Sequence, residues 1–223
     1  MAPTQTIALM LRSIALLSLA AICVGQPNPA FREVPDIPGL PRVLLIGDSI
    51  SIGYTEPVRA ELTNKANLHR IPENGAATIV GVKNLENWLS SSKWDVIHFN
   101  FGLHDLRLDD GKHQVPLPDY ETNLRTIVQR LQKTGARLIW ATTTPVPDTE
   151  VKPPRRNADV IAYNSAAAKI MTESGIPIDD LYALVNPRLA ELQLPANVHY
   201  TLPGYNVLGH QVAESILRAQ DSH

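Results

Sequence analysis

The chain has 223 residues, 44% of them hydrophobic and 19% charged, with a formal net charge of -2 at pH 7. That length and apolar content suit one ordinary globular domain with its own core. The near-neutral, interspersed charge offers no basic face for nucleic acid, and a single cysteine, Cys23, excludes an internal disulfide framework.

The N-terminal segment differs in composition from the rest. Arg12 precedes the apolar run Ser13-Ile14-Ala15-Leu16-Leu17-Ser18-Leu19-Ala20-Ala21-Ile22, and the small-x-small triplet Cys23-Val24-Gly25 follows. This pattern predicts a secretory signal over residues 1–25, cleaved before Gln26, and so an exported (periplasmic or secreted) protein. The run is short for a bilayer span. A lipoprotein anchor at Cys23 is the alternative, against which the bulky Ile22 stands. Once the signal is removed, the chain has no thiol and no stable membrane association. Residues 26–41, with five prolines, read as an extended leader, and residues 42–220 as the folded domain.

Arg42-Val43-Leu44-Leu45-Ile46 is a short apolar run ended by Gly47, which fits a strand covered on both faces. Beyond Gly53 the period changes: Val58, Leu62 and Ala66 recur at helical spacing, with Glu56-Pro57 suited to the first turn. Leu68-His69-Arg70-Ile71 is a weaker second strand. It ends in Pro72-Glu73-Asn74-Gly75-Ala76, where Asn-Gly signals a turn. Val82, Leu85, Trp88 and Leu89 then mark one face of a helix.

Residues 94–101 form a third strand that ends at Gly102-Leu103-His104-Asp105, followed by a polar connection. Tyr120, Leu124, Ile127, Val128 and Leu131 mark the next helix, closed by Gly135, and residues 137–144 make a fourth strand. A proline-rich, charged loop covers residues 145–157. A helix over 158–173, a short strand over 176–178 and a last helix over 203–220 complete the chain. Strands alternating with helices in this way predict a three-layer α/β/α sandwich around a parallel sheet.

Three strand ends finish in polar or glycine-containing turns: Gly47-Asp48-Ser49, Asn74-Gly75 and Gly102-Leu103-His104-Asp105. A fourth polar cluster, Asn197-Val198-His199-Tyr200-Thr201, precedes the last helix. In a parallel sheet the first three share the edge where open α/β sheets bind ligands. Ser49 there is suited to attack a carbonyl, and His199 to take its proton. The Ser49 and Gly75 main-chain N–H groups, with a side-chain donor from His104 or Asn100, are suited to hold the resulting oxyanion. Asp48 fits a turn-capping role, and Asp105 and Asn197 are further supporting residues.

No His/Asp/Glu cluster has metal-ligand spacing and no glycine-rich phosphate loop appears, so neither metal nor cofactor is expected. His69, His113 and His210 read as surface residues, and His98 and the three tryptophans as structural. Arg107 reads as an exposed arginine, with an anionic-substrate contact as the alternative.

These four blocks, in this order, resemble those of the SGNH (GDSL-type) hydrolases. Gly47-Asp48-Ser49 is similar to the first block, with the serine as nucleophile, and Gly75 to the glycine of the second. Gly102-Leu103-His104-Asp105 stands where the family has Gly-x-Asn-Asp. His199 stands for the histidine of Asp-x-x-His, with Tyr200-Thr201 and Gly204-Tyr205 resembling the usual continuation. The resemblance implies a flavodoxin-like topology and an ester hydrolase working through an acyl-enzyme on Ser49, without metal or cofactor.

The sequence departs from the family pattern twice: His104 replaces the third-block asparagine, and Ala196 stands where the aspartate belongs. A Ser49–His199 dyad is therefore expected, oriented by the Asn197 side-chain carbonyl, a main-chain carbonyl, or Asp179 or Asp180. The expected substrate is a small-molecule or glycan ester, above all O-acetylated carbohydrate. A lipid or thioester substrate, and a non-catalytic glycan-binding role, are the alternatives.

Overall fold

The computed structural model describes residues 28–221, so the expected signal and Cys23 lie outside the described residues. In chain order come β1 (Arg42–Ile46), α1 (Ser49–Glu61), β2 (Asn67–Arg70), α2 (Thr78–Leu89) and β3 (Val96–Phe99). A hairpin of β4 (Leu108–Asp109) and β5 (Lys112–His113) follows, then α3 (Leu117–Gln132), β6 (Arg137–Ala141) and α4 (Asn157–Glu173). The chain ends with β7 (Ile178–Asp179), the short α5 (Leu181–Val185) and α6 (Leu189–Leu192), and the long α7 (Leu202–Asp221).

Five strands form one parallel sheet in the order β2-β1-β3-β6-β7. Val43, Leu44, Leu45 and Ile46 are all buried, as a central strand covered on both faces requires. The order reverses at β1. The crossover through α1 runs to one side, whereas those through α2, α3 and α4 run to the other. Right-handed crossovers therefore place α1 on one face and the other three helices on the opposite face. The contacts agree: α1 packs along α7, while α2 packs on α3 and α3 on α4. This is the expected three-layer sandwich with flavodoxin-like strand order, and its crevice falls between the carboxyl ends of β1 and β3.

Two local expectations differ from the structure. The first helix begins at Ser49 rather than near Glu56, and Pro57 lies inside it. The cause is Asp48, whose carboxylate accepts the Ile50 N–H at 2.9 Å and caps the helix two turns earlier. The connection after β3 holds the β4–β5 hairpin, too short for alternation to reveal. The described part of the leader lies on the domain, where the Asn67 amide bonds the main chain of Ile37 and Leu40.

The contact between α1 and α7 is close because both helices carry glycines there. A Cβ on Gly209 would stand 2.4 Å from Pro57 Cβ, and one on Gly53 would enter the Tyr205 ring. The two helices that flank the polar strand ends are thus held in a fixed register.

Candidate active site

Ser49 is the first residue of α1, directly beyond the turn that ends β1. Asp48 fixes this start, because its carboxylate caps the helix and its carbonyl accepts the Ser51 hydroxyl at 2.8 Å. The Asp48 side chain is buried, and its second carboxylate oxygen has no hydrogen-bond partner among the described residues. Ser49 itself is half-buried, and its N–H is one of the first-turn donors that a helix leaves unpaired.

His199 arrives from the opposite end of the chain on a short turn. Leu194 N–H donates to the His199 carbonyl at 2.9 Å, and Thr201 N–H to the Leu192 carbonyl at 2.8 Å. Gln193 anchors this turn by donating to the Pro145 carbonyl at 2.9 Å. His199 Nε2 lies 2.8 Å from Ser49 Oγ, so two residues 150 apart in sequence are in hydrogen-bond contact.

The proton positions follow from donor chemistry. The main-chain N–H of His199 can only donate, and it meets the Asn197 side chain at 3.0 Å, so the atom facing it is the amide oxygen. The same oxygen lies 2.8 Å from His199 Nδ1, so Nδ1 carries a proton and donates it. In the neutral ring Nε2 is then bare and accepts from the Ser49 hydroxyl. Asp179 and Asp180, the upstream alternatives, are engaged elsewhere. Asp179 is buried against His98 at 3.0 Å and accepts from Gln211, and Asp180 caps α5 and accepts from Thr142.

Two expected oxyanion donors are already committed. Gly75 N–H donates to the Gly47 carbonyl at 3.0 Å, and Ala76 N–H to Asn74 Oδ1 at 2.9 Å. Of the donors in that turn, Ala77 N–H is left without an acceptor among the described residues. The Asn100 amide donates to the Ala141 carbonyl at 2.8 Å and to Thr143 Oγ1 at 3.2 Å, which ties β3 to β6. Both groups are claimed by structural hydrogen bonds, so neither Gly75 nor Asn100 is free to receive an oxyanion.

His104 differs: it is half-buried, and its ring makes no hydrogen bond among the described residues. Gly102 makes its turn possible, with φ at 150° and a position where a Cβ would lie 2.3 Å from Thr143 Oγ1. Asp105 is structural. Its carboxylate accepts the Thr78 N–H at 2.9 Å and the Thr78 hydroxyl, capping α2, and burial pushes its pKa up to about 7.

The electrostatics favour neutral imidazoles. Desolvation holds the His199 pKa below the ordinary histidine value, with Arg155 adding to the shift and Asp48 opposing it. His104 is lowered for the same first reason, and Arg155, Arg107 and His199 push in the same direction against Asp48. Arg155, from the loop over residues 145–157, belongs to no motif and gave no sequence signal. Two half-buried imidazoles, one aligned on a serine hydroxyl and one with free ring nitrogens, can respectively accept a proton and donate a hydrogen bond.

A family model described as the GDSL-like Lipase/Acylhydrolase family matches residues 45–207. No curated protein sequence matches the chain. Among solved structures, a lipase/acylhydrolase from Enterococcus faecalis is similar at 21% identity and TM-score 0.70, over 79% of this chain and 95% of that one. The acetyl xylan esterase AlAXEase is similar at 17% identity and TM-score 0.67, over 78% of this chain and 99% of that one. An acetylxylan esterase from Geobacillus stearothermophilus is similar at 21% identity and TM-score 0.66, over 82% and 95% respectively. At these identities the structures establish the shared fold.

Proposed function

Because this chain belongs to the GDSL-like lipase/acylhydrolase family and is a hydrolase of ester bonds, we propose that it is an exported serine esterase that removes O-acetyl groups from carbohydrate. The observation that carries the mechanism is the line Ser49 Oγ–His199 Nε2–His199 Nδ1–Asn197 Oδ1, with 2.8 Å at each hydrogen bond.

Ser49 Oγ attacks the ester carbonyl carbon as its proton passes to His199 Nε2. The carbonyl oxygen becomes an oxyanion, met by Ser49 N–H and by the ring N–H of His104. Collapse breaks the bond to the alcohol oxygen, which leaves with the proton from Nε2. Water then attacks the acyl-Ser49 carbonyl and gives a proton to Nε2, and that proton returns to Oγ as the acid departs. His104 supplies the side-chain donor that asparagine gives elsewhere in the family. A neutral ring suffices for this, since one of its nitrogens carries N–H.

Support for an acetylated glycan comes from the acetylxylan esterases among the similar structures and from the signal-like composition of residues 1–25. The test is acetate release from acetylated xylan, together with fluorophosphonate labelling of the folded protein. Acetate release and a label on Ser49, both abolished by Ser49→Ala, support the reading. Turnover confined to long acyl chains rejects the glycan assignment, and an unlabelled Ser49 rejects the esterase in favour of a glycan-binding protein. Export predicts a secreted form that begins at Gln26, and a mature protein retaining Met1 refutes it.

A further inference from the structure

Arg155 is held firmly beside the site. Its Nε donates to the Leu103 carbonyl at 2.7 Å and its Nη1 to the Pro153 carbonyl at 3.1 Å. The guanidinium is therefore fixed on the same turn that carries His104. The loop bearing it is pinned in turn, with Leu108 N–H on the Pro154 carbonyl at 2.9 Å and Val146 N–H on Asn157 Oδ1 at 3.2 Å.

Arg155 is half-buried, yet among the described residues it has no carboxylate within ion-pair distance and its Nη2 has no acceptor. Arg107, on the adjoining stretch, is different, since its Nη2 bonds Asp109 at 2.7 Å. The Arg155 charge acts on both His199 and His104, and its own pKa is lowered by desolvation first. Charges withdrawn from water are ordinarily paired. A fixed cation beside the catalytic pair, with one edge of its fork open, lacks that pairing among the described residues.

We propose that Arg155 binds an anionic group of the substrate, a carboxylate carried near the ester bond, and so sets which esters the enzyme prefers. The inference rests on the esterase reading and narrows its substrate class. Nη2 supplies charge-assisted hydrogen bonds, which are shorter and stronger than neutral ones. The carboxylate has two possible sources: the alcohol side, as in an acidic sugar, or the acyl side, as in the half-ester of a dicarboxylic acid.

The experiment uses matched pairs of esters, with each rate divided by its hydroxide-catalysed rate. 4-Acetoxybenzoate against 4-acetoxybenzamide tests the alcohol side. Mono-4-nitrophenyl succinate against 4-nitrophenyl butyrate tests the acyl side. One anionic member should exceed its neutral partner in kcat/KM by about tenfold or more, since hydrogen bonds to charged groups exceed the step that a factor of ten represents. The ratio should collapse towards one in Arg155→Gln and persist in part in Arg155→Lys.

Arg155→Gln also loses the bond to Leu103, so the wild-type protein supplies a second readout. 4-Hydroxybenzoate for the alcohol side, or succinate for the acyl side, should inhibit more tightly than the corresponding amide. Equal turnover of both members of each pair with no inhibitor preference overturns the proposal, as does a preference that survives Arg155→Gln. Absence of turnover on every ester, with Ser49 unlabelled, removes the esterase reading as well, and so differs from turnover without preference.

Discussion

The side-chain oxygen of Asn197 accepts two hydrogen bonds from one residue, His199: the main-chain N–H at 3.0 Å and the ring Nδ1–H at 2.8 Å. The first bond fixes which way the amide faces, and the second fixes the tautomer. In serine proteases, replacing the triad aspartate by asparagine costs about ten-thousandfold, because the imidazole then has the wrong tautomer. Here asparagine gives the correct tautomer and lacks only the negative charge that would stabilise imidazolium.

Asn197→Ala should therefore lower kcat, by less than the roughly ten-thousandfold cost of a wrong tautomer, while Ser49 still reacts with a fluorophosphonate. Asn197→Asp should preserve activity and raise the His199 pKa, because a carboxylate at hydrogen-bond distance favours the imidazolium. Steady-state kinetics across pH measure both. An Asn197→Ala enzyme as fast as wild type would show that the Asn197 bond does not orient the ring.

The pH profile of the wild-type protein follows from the same ring. Burial and Arg155 lower the His199 pKa, so the proton-accepting form persists to lower pH than for a free histidine. The acid limb of kcat/KM should fall below the ordinary value of about 6.5. Asp48→Asn keeps an acceptor for the Ile50 N–H but removes the charge that opposes the shift, so the limb should move further down. An acid limb at or above the ordinary value would contradict this electrostatic picture.

Gly209→Ala tests the helix contact that sets the dyad. The new Cβ would meet Pro57 Cβ at 2.4 Å, with main-chain atoms of Pro57 and Val58 close behind. Such overpacking typically costs about 1–3 kcal/mol, visible as a lower Tm. Ser49 starts α1, and α7 begins three residues after His199, so parting the helices should also lengthen the Ser49–His199 contact. The expected kinetic signature is a loss in kcat larger than any change in KM. An unchanged Tm would mean that the helices separate freely.

Asp105 makes stability depend on pH. Its carboxyl is buried, and its folded-state pKa is raised to about 7 from an ordinary value near 4. The folded state thus holds a proton that the unfolded chain gives up. The associated stability is complete below about pH 4 and is lost as pH rises through about 7, with a slope of at most about 1.4 kcal/mol per pH unit. Asp105→Asn should flatten this part of the Tm profile while still accepting from Thr78 N–H. Identical slopes in the two proteins would refute the assignment.

The layered fold was legible because apolar periodicity is a local property: four consecutive buried residues in β1 and the spaced apolar faces of the helices announce their environment directly. Ser49 and His199 were legible as residue types at a strand end and before a helix, and Asn197 as a carbonyl two residues from the imidazole. The first helix starts ahead of its apolar periodicity because one capping carboxylate, Asp48, outweighs the proline signal at Pro57.

What the chain alone determined was the alternation of elements and which polar residue types stand at the strand ends and before the last helix. Only the tertiary structure decided which polar groups were free to react. Gly75 and Asn100 are spent on the carbonyls of Gly47 and Ala141, and Asp179 on His98. Arg155 reaches the site through the Leu103 carbonyl, 52 residues away. Hydrogen bonds between distant segments follow from where the main chain passes in space, and no periodicity in the sequence records that.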